Sequence, residues 1–260
     1  MRRLALAAPL ASALVIVGCG DDSDDTSTEA GSTTAAGGEL VVSAAASLEP
    51  AFTAYAEAAG IDAKQSFAGS DDLAAQIRQG VTPDVYAAAN TSLPDDLYAD
   101  GLVSKPVVFA TNTLVLAVPD GSQIDSLDDL TGDVTLAIGD EGVPVGDYTR
   151  EILGELPKEE PEAILDNVSS LEPDVAGIVG KLTQGAVDAG FVYVTDVVAT
   201  DGALTAIDLP ADLQPDVAYG VAVVDGAENP EGAQSFIDGL LEGEGADALA
   251  DAGFKPPPPN

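Results

Sequence analysis

Two serines carry the most informative chemistry in this chain. Ser47 lies in Val41-Val42-Ser43-Ala44-Ala45-Ala46-Ser47-Leu48, and Ser70 closes Ser66-Phe67-Ala68-Gly69-Ser70. Each follows a short apolar, strand-like run and precedes a helical pattern, over 48–59 and 73–79. A serine at such a junction can cap the helix with its hydroxyl, and the first-turn N–H groups beside it carry partial positive charge. Two such ends facing each other would hold an anion without Lys or Arg. That matters in a chain with 9 basic and 45 acidic residues, which must bind any anion through neutral donors in a shielded cleft.

Other chemistries find little support. The chain has no His and one Cys, so the usual Ser–His–Asp and Cys–His catalytic sets and zinc sites built from Cys and His are ruled out. Neither G-x-G-x-x-G nor G-x-x-x-x-G-K-[ST] occurs. A carboxylate pair for hydrolysis is available among the acids, but sugar sites favour aromatic platforms, and six Tyr, six Phe and no Trp offer few. An extracellular carboxylate-dependent hydrolase is therefore the lesser alternative, and no cofactor is expected.

The elements that position the serines follow from periodicity. Strand candidates are 40–43, 63–67, 85–89, 114–118, 134–138, 189–193 and 217–224. Helical patterns lie between and after them, at 51–59, 71–79, 92–100, 146–155, 173–184 and 231–251. The alternation predicts an α/β fold of mostly parallel sheets covered by helices. Ligands of such sheets bind beyond the carboxyl ends of strands, where both serine motifs sit.

Residues 1–18 read as a bacterial export signal: Arg2 and Arg3, an apolar run over 4–17, and the lipoprotein-box pattern Ile16-Val17-Gly18-Cys19. Cys19 is the expected lipid carrier, and 19–38 a lipidated Cys with a flexible tether rich in Asp, Ser, Thr and Gly. This predicts an exported protein anchored by lipid to the outer face of the cytoplasmic membrane. A net charge of −36 argues against binding nucleic acid or anionic lipid head groups. A single Cys allows no intrachain disulfide, so stability must come from burial. Residues 255–260, with four consecutive prolines, read as a polyproline tail.

The motifs recur in a fixed order. After the two serine segments, with Leu73-Ala74 and Gln76-Ile77 following Ser70, come Pro83-Asp84-Val85-Tyr86-Ala87-Ala88-Ala89 and Leu114-Val115-Leu116-Ala117-Val118-Pro119. Ala137-Ile138-Gly139-Asp140, Gly190-Phe191-Val192-Tyr193 with Asp196, and Ala252-Gly253-Phe254 complete the set. Over about residues 39–254 the chain resembles the molybdate-binding proteins that serve ABC transporters, within the bacterial solute-binding proteins.

The resemblance implies a two-lobed periplasmic-binding-protein type II fold, with 39–110 plus 219–254 as one lobe and 111–218 as the other. It implies molybdate, with tungstate beside it, bound in the cleft and handed by a monomer to a membrane permease. The implied ligands are the hydroxyls and N–H groups of Ser47 and Ser70, the N–H groups of Ala89 and Val175, and the phenol of Tyr193. All are donors, as an unprotonated dianion requires. Departures from the family pattern are Asp71 and Asp72 directly after Ser70, a stretch at 139–146 one residue shorter, and Val145 in place of a small residue. Asp71 opens a second possibility, a receptor for another oxyanion such as phosphate or sulfate, in which the carboxylate would accept a hydrogen bond from protonated phosphate.

Overall fold

The computed structural model describes residues 38–157 and 159–258. The expectations for the export signal, Cys19 and nearly all of the tether fall outside them. Among the described residues no helix is long and apolar enough to cross a membrane.

The chain builds one sheet, crosses to build a second, and returns to finish the first. In order come β1 (Leu40–Ala45), α1 (Glu49–Ala59), β2 (Ala63–Ala68), α2 (Ser70–Arg78), β3 (Val85–Ala88), α3 (Ser92–Ala99) and β4 (Val107–Thr111). The second sheet uses β5 (Leu114–Pro119), β6 (Leu136–Gly139), α4 (Pro144–Gly154), α5 (Glu160–Asp166), β7 (Val168–Glu172), α6 (Val175–Thr183), β8 (Ala189–Tyr193), α7 (Val194–Val198) and β9 (Leu204–Asp208). The return adds β10 (Ala218–Val223), α8 (Pro230–Leu241) and α9 (Glu244–Asp251).

The strand orders are β2-β1-β3-β10-β4 and β7-β6-β8-β5-β9. The α/β, two-lobed expectation is borne out, and the chain crosses between the sheets at 112–113 and again at 209–217. The pairing is more mixed than mostly parallel. β1 is parallel to β2 and β3, and β6 to β7 and β8, whereas β10 and β5 are antiparallel to both their neighbours. The reason lies in the connections. Strand–helix–strand units make the parallel pairs, while β5 and β10 enter their sheets directly from the crossovers.

Apolar strands explain the core. β1, β3, β5 and β8 are buried almost throughout, and Phe52, Phe109 and Phe236 form one aromatic cluster under α1 and α8, with ring centroids 6.0 and 5.3 Å from Phe52. A smaller cluster of Leu73, Ile77, Tyr86 and Leu97 seals the opposite face of the first sheet. Buried Asp84 accepts N–H bonds from Val41 at 2.8 Å and Asn229 at 2.7 Å, clasping β1 to the start of α8.

Several strand and helix expectations need revision. The helix over 231–251 is two helices, broken where Gly243 adopts φ 105°, a left-handed conformation that L side chains rarely take. Strands β4, β7 and β9 and the short helices α5 and α7 are additions to the sequence pattern. The tail does not trail free at its start: Lys255 pairs with Thr111 through N–H···O bonds of 2.8 and 2.9 Å, strapping it to the end of β4.

Candidate functional site

A pocket of about 220 Å³, its mouth included, lies between the two sheets. One wall comes from Ala45, Ala46 and Ser47, from Ala68, Gly69 and Ser70, and from Ala89. The other comes from Val143, Pro144 and Val145, from Asp174 and Val175, and from Tyr193. All five residues expected from the sequence therefore lie on one pocket. Ser47, Ser70 and Tyr193 are 4, 2 and 1 % exposed, so water has little access to them.

The local structure explains the wall. Ser47 lies in a single 3₁₀ turn, Ala46–Leu48, between β1 and α1. Ser70 is the first residue of α2, with Gly69 in the capping position. Neither hydroxyl caps its helix, so neither is spent on the ordinary role of a serine at such a junction. Ser47 Oγ lies 2.9 Å from the Tyr219 hydroxyl. Ser70 Oγ accepts the Ala89 N–H at 3.1 Å, while the Ser70 carbonyl accepts from the Tyr86 hydroxyl at 2.7 Å.

The bond from Ala89 has two consequences. The Ala89 N–H is already engaged, so Ala89 reaches the pocket through Ser70 rather than as an open donor. With its oxygen accepting from Ala89, Ser70 has its own proton to offer.

On the second wall, Val175 opens α6, and its N–H is a first-turn donor without an intrahelical acceptor. Asp174 contributes a carboxylate to the wall, yet Oδ1 accepts the Gly177 N–H at 2.9 Å and caps the helix instead. Tyr193 ends β8; its hydroxyl is buried and has no partner among the described residues. Burial raises the Tyr193 phenol well above its ordinary value, so it stays a donor. Asp196 Oδ2 accepts the Tyr193 N–H at 2.9 Å.

Val145 is a wall residue to which sequence reasoning assigned no bond to the ligand. It is the second residue of α4, so its N–H is a further first-turn donor on the pocket. Pro144 was the available signal, because proline favours the first helical position; the helical pattern alone places the start two residues later. Gly139 and Gly146 let α4 press onto the end of β6: a Cβ on Gly146 would collide with the Gly139 carbonyl oxygen. Arg150 Nη1 donates to the carbonyls of Gly139 and Gly146, both at 2.9 Å, and places a cation behind this turn.

Asp71 is not on the pocket wall. Its Oδ1 is nevertheless buried without a partner among the described residues. Loss of water raises its carboxyl above the ordinary value, with the charges of Asp72 and Asp147 adding to the effect.

A profile of the bacterial extracellular solute-binding proteins matches residues 40–255, which contain both sheets and every residue of the pocket. The chain belongs to that family. It is a binding protein, not an enzyme, and works outside the cytoplasm. The solute-binding protein is 34% identical to the molybdate-binding protein ModA of Mycobacterium tuberculosis H37Rv, over 99% of this chain and 100% of that one. It is 32% identical to that of Escherichia coli K12, over 86% and 92% of the two chains. Its fold matches the periplasmic molybdate-binding protein of Azotobacter vinelandii with TM-score 0.75 at 18% identity, covering 85% of this chain and 100% of that one. It matches the sulfate-binding protein SubI of Mycobacterium tuberculosis H37Rv with the same score at 17% identity, covering 85% and 88%. Because proteins named for different oxyanions share the fold, the anion must be argued from the pocket.

Proposed function

We propose that this solute-binding protein captures molybdate, with tungstate as an equivalent ligand, and delivers it to the permease of an ABC transporter. Ser47 and Ser70, by hydroxyl and N–H, the N–H groups of Val175 and Val145, and the phenol of Tyr193 form the binding set. Ala89 supports Ser70. The motif Ile16–Cys19 supports lipid attachment at Cys19, and the protein is taken to act as a monomer.

The observation that carries the reading is the polarity of the pocket. Ser70 Oγ is held as an acceptor by Ala89, so its proton points elsewhere; the buried Tyr193 hydroxyl has no partner among the described residues. Both are donors in search of an acceptor, and a fully deprotonated tetrahedral dianion is acceptor on every corner. Neutral donors suit a dry cleft, since an unpaired lysine there would be costly to bury without the ligand. The two molybdate-binding relatives, at 32 and 34% identity, point to the same anion.

The phosphate alternative needs an acceptor in the pocket. Asp71 is absent from the wall, and Asp174 is turned to its helix cap. Thermal unfolding of residues 20–260 in molybdate, tungstate, sulfate and phosphate tests the choice. A ligand at about 100 times its dissociation constant adds roughly 2.7 kcal/mol to stability, a rise of about 5–10 °C for a chain of this size. A rise with molybdate and tungstate is expected; a rise with phosphate alone would overturn the assignment.

A further inference from the structure

A line of side chains runs from Ser47 on the first wall through the crossover to the neighbourhood of Tyr193 on the second. Tyr219 of β10 is fully buried, and its hydroxyl lies 2.9 Å from Ser47 Oγ. Asn112 sits in the first crossover. Its Nδ2 donates to Thr195 Oγ1 at 2.9 Å and to the Tyr219 hydroxyl oxygen at 3.4 Å. The Asn112 N–H donates to the Val217 carbonyl at 2.9 Å, which ties the two crossovers together.

We infer that Asn112 and Tyr219 are positioning residues that hold the Ser47 hydroxyl as a donor toward the oxyanion, a role that rests on the capture function above. The amide orientation is set by its other end: Thr113 N–H donates to Asn112 Oδ1 at 2.8 Å, so nitrogen faces Tyr219. An amide nitrogen only donates, and the Tyr219 oxygen therefore accepts from it. The single phenolic proton then needs an acceptor of its own. Among the described residues Ser47 Oγ is the one it bonds. Ser47 accepts that proton, and its own is left for the pocket.

Ser47 thereby matches Ser70. Each oxygen takes one fixed hydrogen bond from the protein, from Tyr219 in one case and the Ala89 N–H in the other. Each hydroxyl thus keeps its own proton for the pocket. Asn112 and Tyr219 accordingly act on affinity, through Ser47.

The test is calorimetric titration of molybdate and phosphate into wild type, Tyr219→Phe, Ser47→Ala and the double variant. Tyr219→Phe should weaken molybdate binding about tenfold when Ser47 is present. It should weaken binding less than about twofold in the Ser47→Ala background. Equal losses in both backgrounds would overturn the role.

Asn112→Asp supplies a second, nearly isosteric variant. Its ionised carboxylate accepts where the amide donated, so the Tyr219 proton turns toward it, and the Ser47 proton, no longer directed to the pocket, gains the Tyr219 oxygen as a competing acceptor. Molybdate binding should fall at least as far as in Tyr219→Phe, and wild-type affinity here would overturn the role even if Tyr219→Phe failed to fold. A wild-type chain that takes up no oxyanion overturns the capture function and this role with it. A wild type that binds, with losses independent of Ser47, overturns only the positioning role.

Discussion

Gly69 and Pro173 meet beside the pocket so closely that no side chain fits between them. A Cβ on Gly69 would collide with the Pro173 carbonyl oxygen, on the loop that leads into α6. Gly69 has φ −58°, a backbone any residue adopts, so its own conformation does not demand glycine. The demand comes from the opposite lobe. Gly69 and Pro173 are where α2 and α6 bring their first turns together, and both turns line the pocket.

Gly69→Ala should therefore leave each lobe intact and obstruct their approach. The expected result is an unfolding midpoint without ligand within about 2 °C of wild type, since Gly69 has a backbone that alanine adopts and the collision is with the other lobe, which can stay apart. Molybdate affinity should fall at least about tenfold, because the facing donors cannot converge. Titration calorimetry beside a melting curve separates the two effects, and equal affinity would show that the lobes do not need this contact.

Tyr193→Phe should move stability and binding in opposite directions. The hydroxyl is buried without a partner among the described residues, and such a group costs about 1–3 kcal/mol. Removing it should stabilise the ligand-free protein by about 1 kcal/mol while weakening molybdate binding about tenfold or more, as expected for a lost bond to a charged acceptor. Denaturant unfolding without anion and titration with it supply both numbers. A destabilised variant would mean the hydroxyl is satisfied in the absence of ligand.

Asp71 decides between oxyanions. It lies in α2 of the first lobe, while Asp147, whose charge helps raise its carboxyl, lies in α4 of the second. Bringing the lobes together brings these two carboxylates toward each other. Asp71→Asn should tighten molybdate binding a few-fold at pH 8 and have less effect at pH 5, where the carboxyl is closer to neutral. Weaker phosphate binding in this variant, with no molybdate binding in wild type, would instead make Asp71 the acceptor for a protonated anion.

The central strands were legible in the sequence, and of the four edge strands only β2 was. β1, β3, β5, β8 and β10 read as nearly continuous apolar runs because both their faces are covered. The unanticipated β4, β7 and β9 are all edge strands. Val168–Glu172 shows why: its burial alternates, and two serines and a glutamate interrupt the apolar signal. The two serines were readable as donors from their place at strand–helix junctions, whereas Ala89, Val175 and Tyr193 came from the family resemblance. The roles of Tyr219 and Asn112 were not readable, since they depend on residues 172 and 83 positions away in sequence. Nor could the chain order reveal that the Ala89 N–H is engaged by Ser70.

Asp196 provides a pH-dependent stability signal. Loss of water around its carboxyl pushes it up to about 7, against an ordinary 3.8, with the Tyr193 N–H pulling the other way. The folded value lies above the unfolded one. Its favourable contribution is thus fully present below about pH 4 and lost as the pH rises through about 7. A tenfold change in proton affinity corresponds to about 1.4 kcal/mol, and partial exposure to solvent reduces the yield, so a loss of roughly 1–2 kcal/mol between pH 4 and 8 is expected. Asp196→Asn keeps an oxygen for the Tyr193 N–H and has no proton to release. Its stability should change less with pH over that window, and it should be the more stable protein at pH 8. Urea unfolding of both proteins at pH 5, 6, 7 and 8, without anion, measures the difference. Parallel curves would show that Asp196 ionises in the folded protein as freely as in the unfolded chain.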